Sequence, residues 1–345
     1  MTNTTKTRDS NMELLRITAM LMVMIVHASY RALPKPTPDS IAADELSAFL
    51  QYVAEGFSVM AVDVFVMLSG WYGIRLRWSR LAELLFQVVF FGVLCAALSF
   101  ALTGEMPHHM VKTVLLLGEG DYWFVKTYVA LYLLSPVLNA FVERATRRQM
   151  ETTLLALFLF QWVFGWVFEA TTWLRAGYSL PSFMALYLLA RYLHVFNPRF
   201  AQWPKRVDLA VYVLTCSAVA VAAFFLKKHF DVGGVLFFYN SPTTILSATA
   251  FLLFFSKCRL RSRLVNWVAV SALSIYLTHS NSFVGQYYDM YIRQWHAAES
   301  RPAFLLYVVL LIAAVFVGSI LIDKVRMAVY KVFLRCFQSR RAPVR

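Results

Sequence analysis

Long apolar runs, each interrupted by one or two polar residues and separated by short basic segments, set the pattern of this chain. A helix that crosses a bilayer needs about 20 mostly apolar residues. Ten stretches meet that measure, roughly 12–30, 48–74, 81–103, 122–142, 150–170, 178–196, 208–226, 240–256, 264–285 and 303–322. The pattern predicts an all-α, polytopic membrane helix bundle of about ten transmembrane helices. Residues 1–11 read as a polar N-terminal tail, 12–322 as the membrane domain and 323–345 as a basic tail lying along the membrane surface. The first run reads as a retained span, since no small-residue cleavage site follows it. Two connections stand out. Pro34-Lys35-Pro36-Thr37-Pro38-Asp39 alternates prolines, which argues against helix. Gly104 to Asp121 holds only the short apolar run Val114 to Leu117, too short to span and therefore interfacial or re-entrant.

The first span organises the rest. Between Arg16 and His27 stand only Ile, Thr, Ala, Met, Leu and Val. At 3.6 residues per turn the two return to within about 20° of one face, about 16 Å apart along the axis. Glu13 lies close to the same face. A helix that merely crosses lipid keeps its face apolar, so this one looks into protein or a wet cavity. Taken singly, Arg16 reads as a snorkelling interfacial arginine and His27 as a histidine bonded to a neighbouring helix. Their shared face adds the functional reading.

Composition agrees with the pattern. Of 345 residues 59% are hydrophobic and only 15% charged. The net charge of +14 would point to nucleic acid if it were spread over the chain. Instead it gathers in alternate connections, at Arg75, Arg77 and Arg80; Arg144, Arg147 and Arg148; Arg199, Lys205 and Arg206; Lys257, Arg259, Arg261 and Arg263; and in the C-terminal tail. The positive-inside rule then places both termini in the cytoplasm and accounts for the charge without nucleic acid. The four cysteines form no C-x-x-C pair, and no metal is expected.

Other polar groups fall inside spans. Asp63 sits mid-span, and Gly56, Asp63 and Gly70 recur every seven residues on one helix face, where glycines admit a neighbouring backbone. Asp63 can orient His27, pair with Arg16 or Lys126, or simply tie helices together. Tyr128, Tyr132 and Ser135 follow one another at helical spacing. Trp123 fits an aromatic belt as well as a sugar-stacking surface. Lys126 lies deeper, and His279 closes the ninth span near the outer surface. Arg75, Arg77 and Arg80 satisfy the positive-inside rule and are also placed to meet the phosphates of a nucleotide-like donor.

Taken in order, these residues resemble a known family. Glu13-Leu14-Leu15-Arg16 with a ten-residue gap to His27, Val64-Phe65-Val66-Met67-Leu68-Ser69-Gly70, Trp123-Phe124 followed by Tyr128, Tyr132 and Leu133-Leu134-Ser135-Pro136-Val137-Leu138-Asn139, Tyr239-Asn240-Ser241-Pro242 and Ser274-Ile275-Tyr276-Leu277-Thr278-His279 resemble integral-membrane acyltransferases of the type 3 family, close to the bacterial exopolysaccharide and surface-glycan O-acetyltransferase branch. The resemblance implies acetyl-CoA as a cytoplasmic cosubstrate, a carbohydrate acceptor, membrane lipid as surroundings, and a bacterial plasma or inner membrane. It casts Arg16 and His27 as essential and Arg77 and Arg80 as donor-binding.

The resulting expectation is an O-acyltransferase with His27 as base. Arg16, Arg75, Arg77 and Arg80 hold the donor, Asp63 orients the imidazole, and Trp123, Lys126, Tyr128, Tyr132 and His279 form the acceptor side. A transporter or flippase of a glycan or small anion also needs intramembrane Arg, His, Asp and Lys, and stands as the alternative.

Overall fold

The computed structural model describes residues 9–106, 110–116, 122–168 and 172–339. Lys6, Arg8, Leu117, Asp121, Arg340, Arg341 and Arg345, and the last residues of the expected span 150–170, lie outside them. Among the described residues there is no strand. In chain order the helices are α1 (Ser10–Val26), α2 (Pro38–Ala43), α3 (Glu45–Ser58), α4 (Ala61–Tyr72), α5 (Trp78–Thr103), α6 (Met110–Val114), α7 (Trp123–Arg144), α8 (Arg147–Gln161), α9 (Leu180–Phe196), α10 (Lys205–Phe230), α11 (Pro242–Ser256), α12 (Arg263–Ala269), α13 (Ala272–His279), α14 (Ser282–Ala298) and α15 (Arg301–Ser339). Two π-helical segments, His27–Ala32 and Trp162–Val167, extend α1 and α8.

Among the described residues, eight stretches built of helix are long and apolar enough to cross a membrane: Ser10–Ala32, Glu45–Tyr72, Trp78–Thr103, Trp123–Arg144, Arg147–Val167, Lys205–Phe230, Gly234–Ser256 and Arg301–Arg335. The 17-residue α9 is apolar but shorter. The chain is an all-α polytopic membrane bundle. Its outward faces say the same. Leu94 and Leu98 on α5, Leu155 and Leu159 on α8, Leu214 and Phe225 on α10, and Leu306, Val309 and Leu310 on α15 are all exposed. An aqueous protein would not tolerate apolar faces of that extent.

Three expectations change. The stretch 264–285 is not one span but α12, α13 and the start of α14, broken around Ser271 and Asn281. Asn281 caps α14 by accepting from the Phe283 N–H at 3.0 Å, which starts a new helix where the apolar pattern ran on. In the proline segment, Pro34 and Pro36 stay non-helical, but Pro38 opens α2, where a first-turn proline loses nothing and Thr37 and Ser40 form a capping box. The tail expected to begin at Asp323 continues α15, and Asp323 and Arg326 are buried.

The chain divides into two compact units, residues 1–76 with 124–269 and residues 77–123 with 270–345. Lipid tails are as apolar as leucine, so helices associate through close packing of small residues rather than hydrophobic burial. In the first unit Gly70 of α4 lies against α9, and a Cβ there would stand 2.5 Å from the Tyr187 carbonyl oxygen and 2.9 Å from the Ala190 Cβ. Gly56 of α3 lies against α10 at Cys216 and Ala220. The turn at Val59 and Met60 separates α3 from α4, so the two glycines serve different neighbours instead of one face. In the second unit α6 packs its Val114 on Gly92 of α5. There Gln87 of α5 donates to Asp323 at 3.1 Å, and Arg326 bonds the same carboxylate at 2.6 Å. Lys324 donates to Ser271 at 2.9 Å. These bonds hold the end of α15 inside the unit.

Candidate active site

The first unit carries two polar regions, one at each end of α1. At the N-terminal end Arg16 bonds Glu13 at 2.7 Å, one turn back on the same helix. Its guanidinium lies within electrostatic reach of the Tyr128 and Tyr72 hydroxyls. Tyr128 shares a 3.1 Å hydrogen bond with Ser69 of α4, and Tyr72 donates to Asp9 at 3.0 Å. The extended segment after α4 is fastened here by side chains from α7 and α9. Tyr132 donates to the Arg75 carbonyl at 3.2 Å and Asn139 to the Ile74 carbonyl at 2.7 Å. Tyr187 accepts from the Ile74 N–H at 3.0 Å and donates to Asn139 Oδ1 at 2.6 Å. Arg191 donates to the Trp71 carbonyl at 3.3 Å, which satisfies a carbonyl left open where α4 ends. Nearly every polar group at this end has found a partner.

At the C-terminal end the helix widens into the π-helical segment that begins at His27. Such segments are costly and recur at functional sites. The half-buried His27 places Nδ1 3.0 Å from Nη1 of Arg31, four residues on. A guanidinium only donates, so Nδ1 is the acceptor and the neutral ring carries its proton on Nε2. Ser29 donates to Glu55 of α3 at 3.4 Å, and Gln51 donates to the Ser29 and Pro34 carbonyls at 2.5 and 3.1 Å. Glu55 is only 2% exposed. Above it stand Tyr30, with Lys35 Nζ 4.7 Å over its ring, and the Tyr178–Tyr239 pair with centroids 4.9 Å apart. The Tyr239 N–H bonds the Ala176 carbonyl at 3.0 Å, and a Cβ on Gly177 would stand 2.7 Å from the Asn240 nitrogen. Gly177 has φ +82°, so only glycine permits this crossing that joins Tyr178 to Tyr239. The Tyr178 hydroxyl is shielded although much of its ring is exposed. That shielding, with Glu55 beside it, holds its pKa above the ordinary tyrosine range and keeps it protonated.

Asp63, near the start of α4, is fully buried, and neither carboxyl oxygen has a hydrogen-bond partner among the described residues. The expected bonds from Asp63 to His27, Arg16 or Lys126 are therefore not formed. The Tyr239 hydroxyl lies within electrostatic reach of it. The other expected residues divide between the units. Arg16, His27, Asp63, Arg75, Lys126, Tyr128 and Tyr132 belong to the first; Arg77, Arg80, Trp123 and His279 belong to the second. Tyr128 and Tyr132 gather at the Arg16 end, not around His27. Arg80 pairs with Glu83 at 3.2 Å on the surface. His279, expected near the outer surface, is fully buried, with Nδ1 2.5 Å from the Ile275 carbonyl of its own helix and its ring against Tyr276 and Tyr288. Among the described residues no group of three or more His, Cys, Asp and Glu side chains is placed to hold a metal ion.

Glu55 was overlooked in the sequence, although a carboxylate inside an apolar run is itself the signal. Arg191 is likewise a charge inside an apolar run, with nothing local to name the Trp71 carbonyl as its partner. Ser69, Asn139, Tyr187 and Tyr178 carry no local signal, because their partners lie far away in the chain.

The fold and its intramembrane groups define a multi-pass membrane protein with ionisable side chains set between its helices. A family model described as an acyltransferase domain matches residues 9–324. The chain therefore belongs to the acyltransferase type 3 family and is a membrane acyltransferase. No curated protein and no solved structure gives a match.

Proposed function

We propose that this acyltransferase is an O-acetyltransferase of the bacterial cell (plasma or inner) membrane. It moves the acetyl group of cytoplasmic acetyl-CoA to a hydroxyl of a carbohydrate: an exopolysaccharide, a lipid-linked glycan or another cell-surface sugar. One observation carries this reading. A single helix, α1, holds a histidine at one end and an arginine at the other, within a chain whose family model spans nearly all of it.

In this reading Arg16 and the arginines that follow α4, Arg75, Arg77 and Arg80, bind the negative groups of the donor. Tyr128 and Tyr132 share the Arg16 end and serve the donor too. Trp123, Lys126 and His279 stay on the acceptor side. His27 is the base. With Nε2 already protonated, the basic atom is Nδ1, and the acceptor hydroxyl takes the place of Arg31 beside it. As the hydroxyl oxygen attacks the thioester carbonyl, its proton passes to Nδ1. The carbon–sulfur bond then breaks, and the departing thiolate takes the proton from the imidazolium. An ester and free CoA result, and His27 returns to its neutral form. Asp63, which has no hydrogen-bond partner among the described residues, acts once a ligand reaches it.

The test is transfer of labelled acetyl from acetyl-CoA by the purified protein, wild type beside His27→Ala and Arg16→Ala. Loss in His27→Ala with unchanged folding supports the base; a rise in donor KM in Arg16→Ala supports the anchor. Full transfer by His27→Ala refutes the assignment.

A further inference from the structure

Several buried polar atoms at the C-terminal end of α1 have no partner among the described residues. Asp63 Oδ1 and Oδ2, Asn240 Oδ1 and Gln161 Oε1 lack a donor, and Gln161 Nε2 and Trp162 Nε1 lack an acceptor. The orientation of the Asn240 amide is set by its Nδ2, which donates to the Leu174 carbonyl at 3.2 Å. Both carboxyl oxygens of Glu55 can accept, and the group receives one long bond from Ser29. Buried polar groups are ordinarily satisfied, and a shortfall of this size asks for a partner. Because both kinds of atom are left over, a partner that satisfies them must donate and accept, as hydroxyls and amides do.

The surroundings narrow the choice. Tyr178 and Tyr30 offer aromatic faces close to Glu55, and Tyr178 is 54% exposed. Tyr52, three residues before Glu55, stacks on Phe237 at 6.0 Å within a buried cluster that also holds Ile41, Val219 and Phe224. Lys35, already over the Tyr30 ring, sits within reach of Glu55 and takes the place an ammonium ligand would need. A buried acid beside tyrosine rings matches a pyranose ring, whose C–H face covers a tyrosine while neighbouring hydroxyls bond the acid. An acidic sugar is disfavoured, because its carboxylate would give up its water beside the buried Glu55 and Asp63, neither of which offers a counter-charge.

We propose that Glu55, bordered by Tyr30, Tyr178 and Tyr239, is the floor of an acceptor subsite that takes a neutral pyranose through two of its hydroxyls. The proposal rests on the acetyl-transfer reading above, which it sharpens by naming the acceptor's chemistry. The subsite holds the sugar beside His27, two residues before the serine that bonds Glu55.

The experiment is equilibrium binding to the full chain in lipid nanodiscs, with maltose, lactose and chitobiose as neutral probes and digalacturonate as the acidic one. At least one neutral disaccharide should bind saturably, and digalacturonate at least tenfold more weakly. Glu55→Gln should weaken neutral-sugar binding about tenfold. Tyr178→Ala, at an exposed position that leaves the fold intact, should weaken it severalfold. Equal affinity for digalacturonate, wild-type affinity in both variants, or no binding by any neutral probe would overturn the subsite. Saturable, Glu55-dependent binding without acetyl transfer would leave the subsite standing and remove the proposed function. Acetyl transfer to a sugar with unchanged affinity in Glu55→Gln would do the reverse.

Discussion

The two ends of α1 solve opposite problems with similar residues. At the Arg16 end, two tyrosines, an asparagine and Arg191 hook backbone carbonyls and an N–H group of the end of α4 and the segment after it, leaving single atoms such as Arg191 Nε over. At the His27 end, Asp63 and Gln161 are buried with both side-chain polar atoms unpartnered, and Trp162 and Asn240 each leave one. Polar groups that bond the backbone hold a structure in place. Polar groups that bond nothing are retained for something the fold alone does not supply. The first end is a clamp on the segment after α4; the second, in the function proposed above, is where the acceptor is received.

That contrast can be broken in order of expected effect. The severest change is Gly70→Val, because even a Cβ meets the Tyr187 carbonyl at 2.5 Å and backbone cannot yield as a side chain can. Overpacking of this kind costs about 1–3 kcal/mol or more, and the variant should show a clear fall in thermal unfolding temperature and in folded yield from detergent. Next is Tyr187→Phe, which strips a partner from the Ile74 N–H and from Asn139. A buried group so orphaned costs about 1–3 kcal/mol, read as a lower melting temperature with the helical circular dichroism signal retained. At the other end the sign should differ. Asp63→Asn removes a carboxylate that has no partner to lose, so thermal stability should hold or rise while acetyl transfer falls. If Asp63→Asn destabilised the protein as much as Tyr187→Phe, the contrast between the two ends would be wrong. The smallest effect belongs to Arg80→Ala. Its pair with Glu83 is exposed and should contribute less than about 1 kcal/mol, so any change in donor KM will come without a change in melting temperature.

What was legible in the sequence follows from what is local. Length and apolarity mark spans, so the helices Trp78–Thr103, Lys205–Phe230 and Arg301–Arg335 fall where apolar runs predicted them. Gly56 and Gly70 were readable as sites of close approach, because a glycine in a membrane helix has little other use. The break inside 264–285 was not, since Ser271 and Asn281 are small interruptions in a pattern read as an average. Nor was the seven-residue spacing a true face, because a turn at Val59 and Met60 contains no proline or glycine to announce it. The active-site reading divides the same way. Arg16 and His27 stood out because one helix carries both. Tyr187, Asn139, Tyr178 and Tyr239 act through partners 48 to 113 residues away or through a crossing of two loops. Asp63 was seen but assigned partners it does not bond, since burial in sequence says nothing of direction.

The most direct test of the account is turnover of labelled acetyl-CoA with a neutral sugar acceptor, wild type beside His27→Ala, with thermal unfolding measured on the same preparations. The wild type should transfer acetyl to the sugar, and His27→Ala should lose at least about a hundredfold of the rate, as removal of a general base does, at an unchanged unfolding temperature. Transfer at the wild-type rate by a folded His27→Ala protein would contradict the account at its centre.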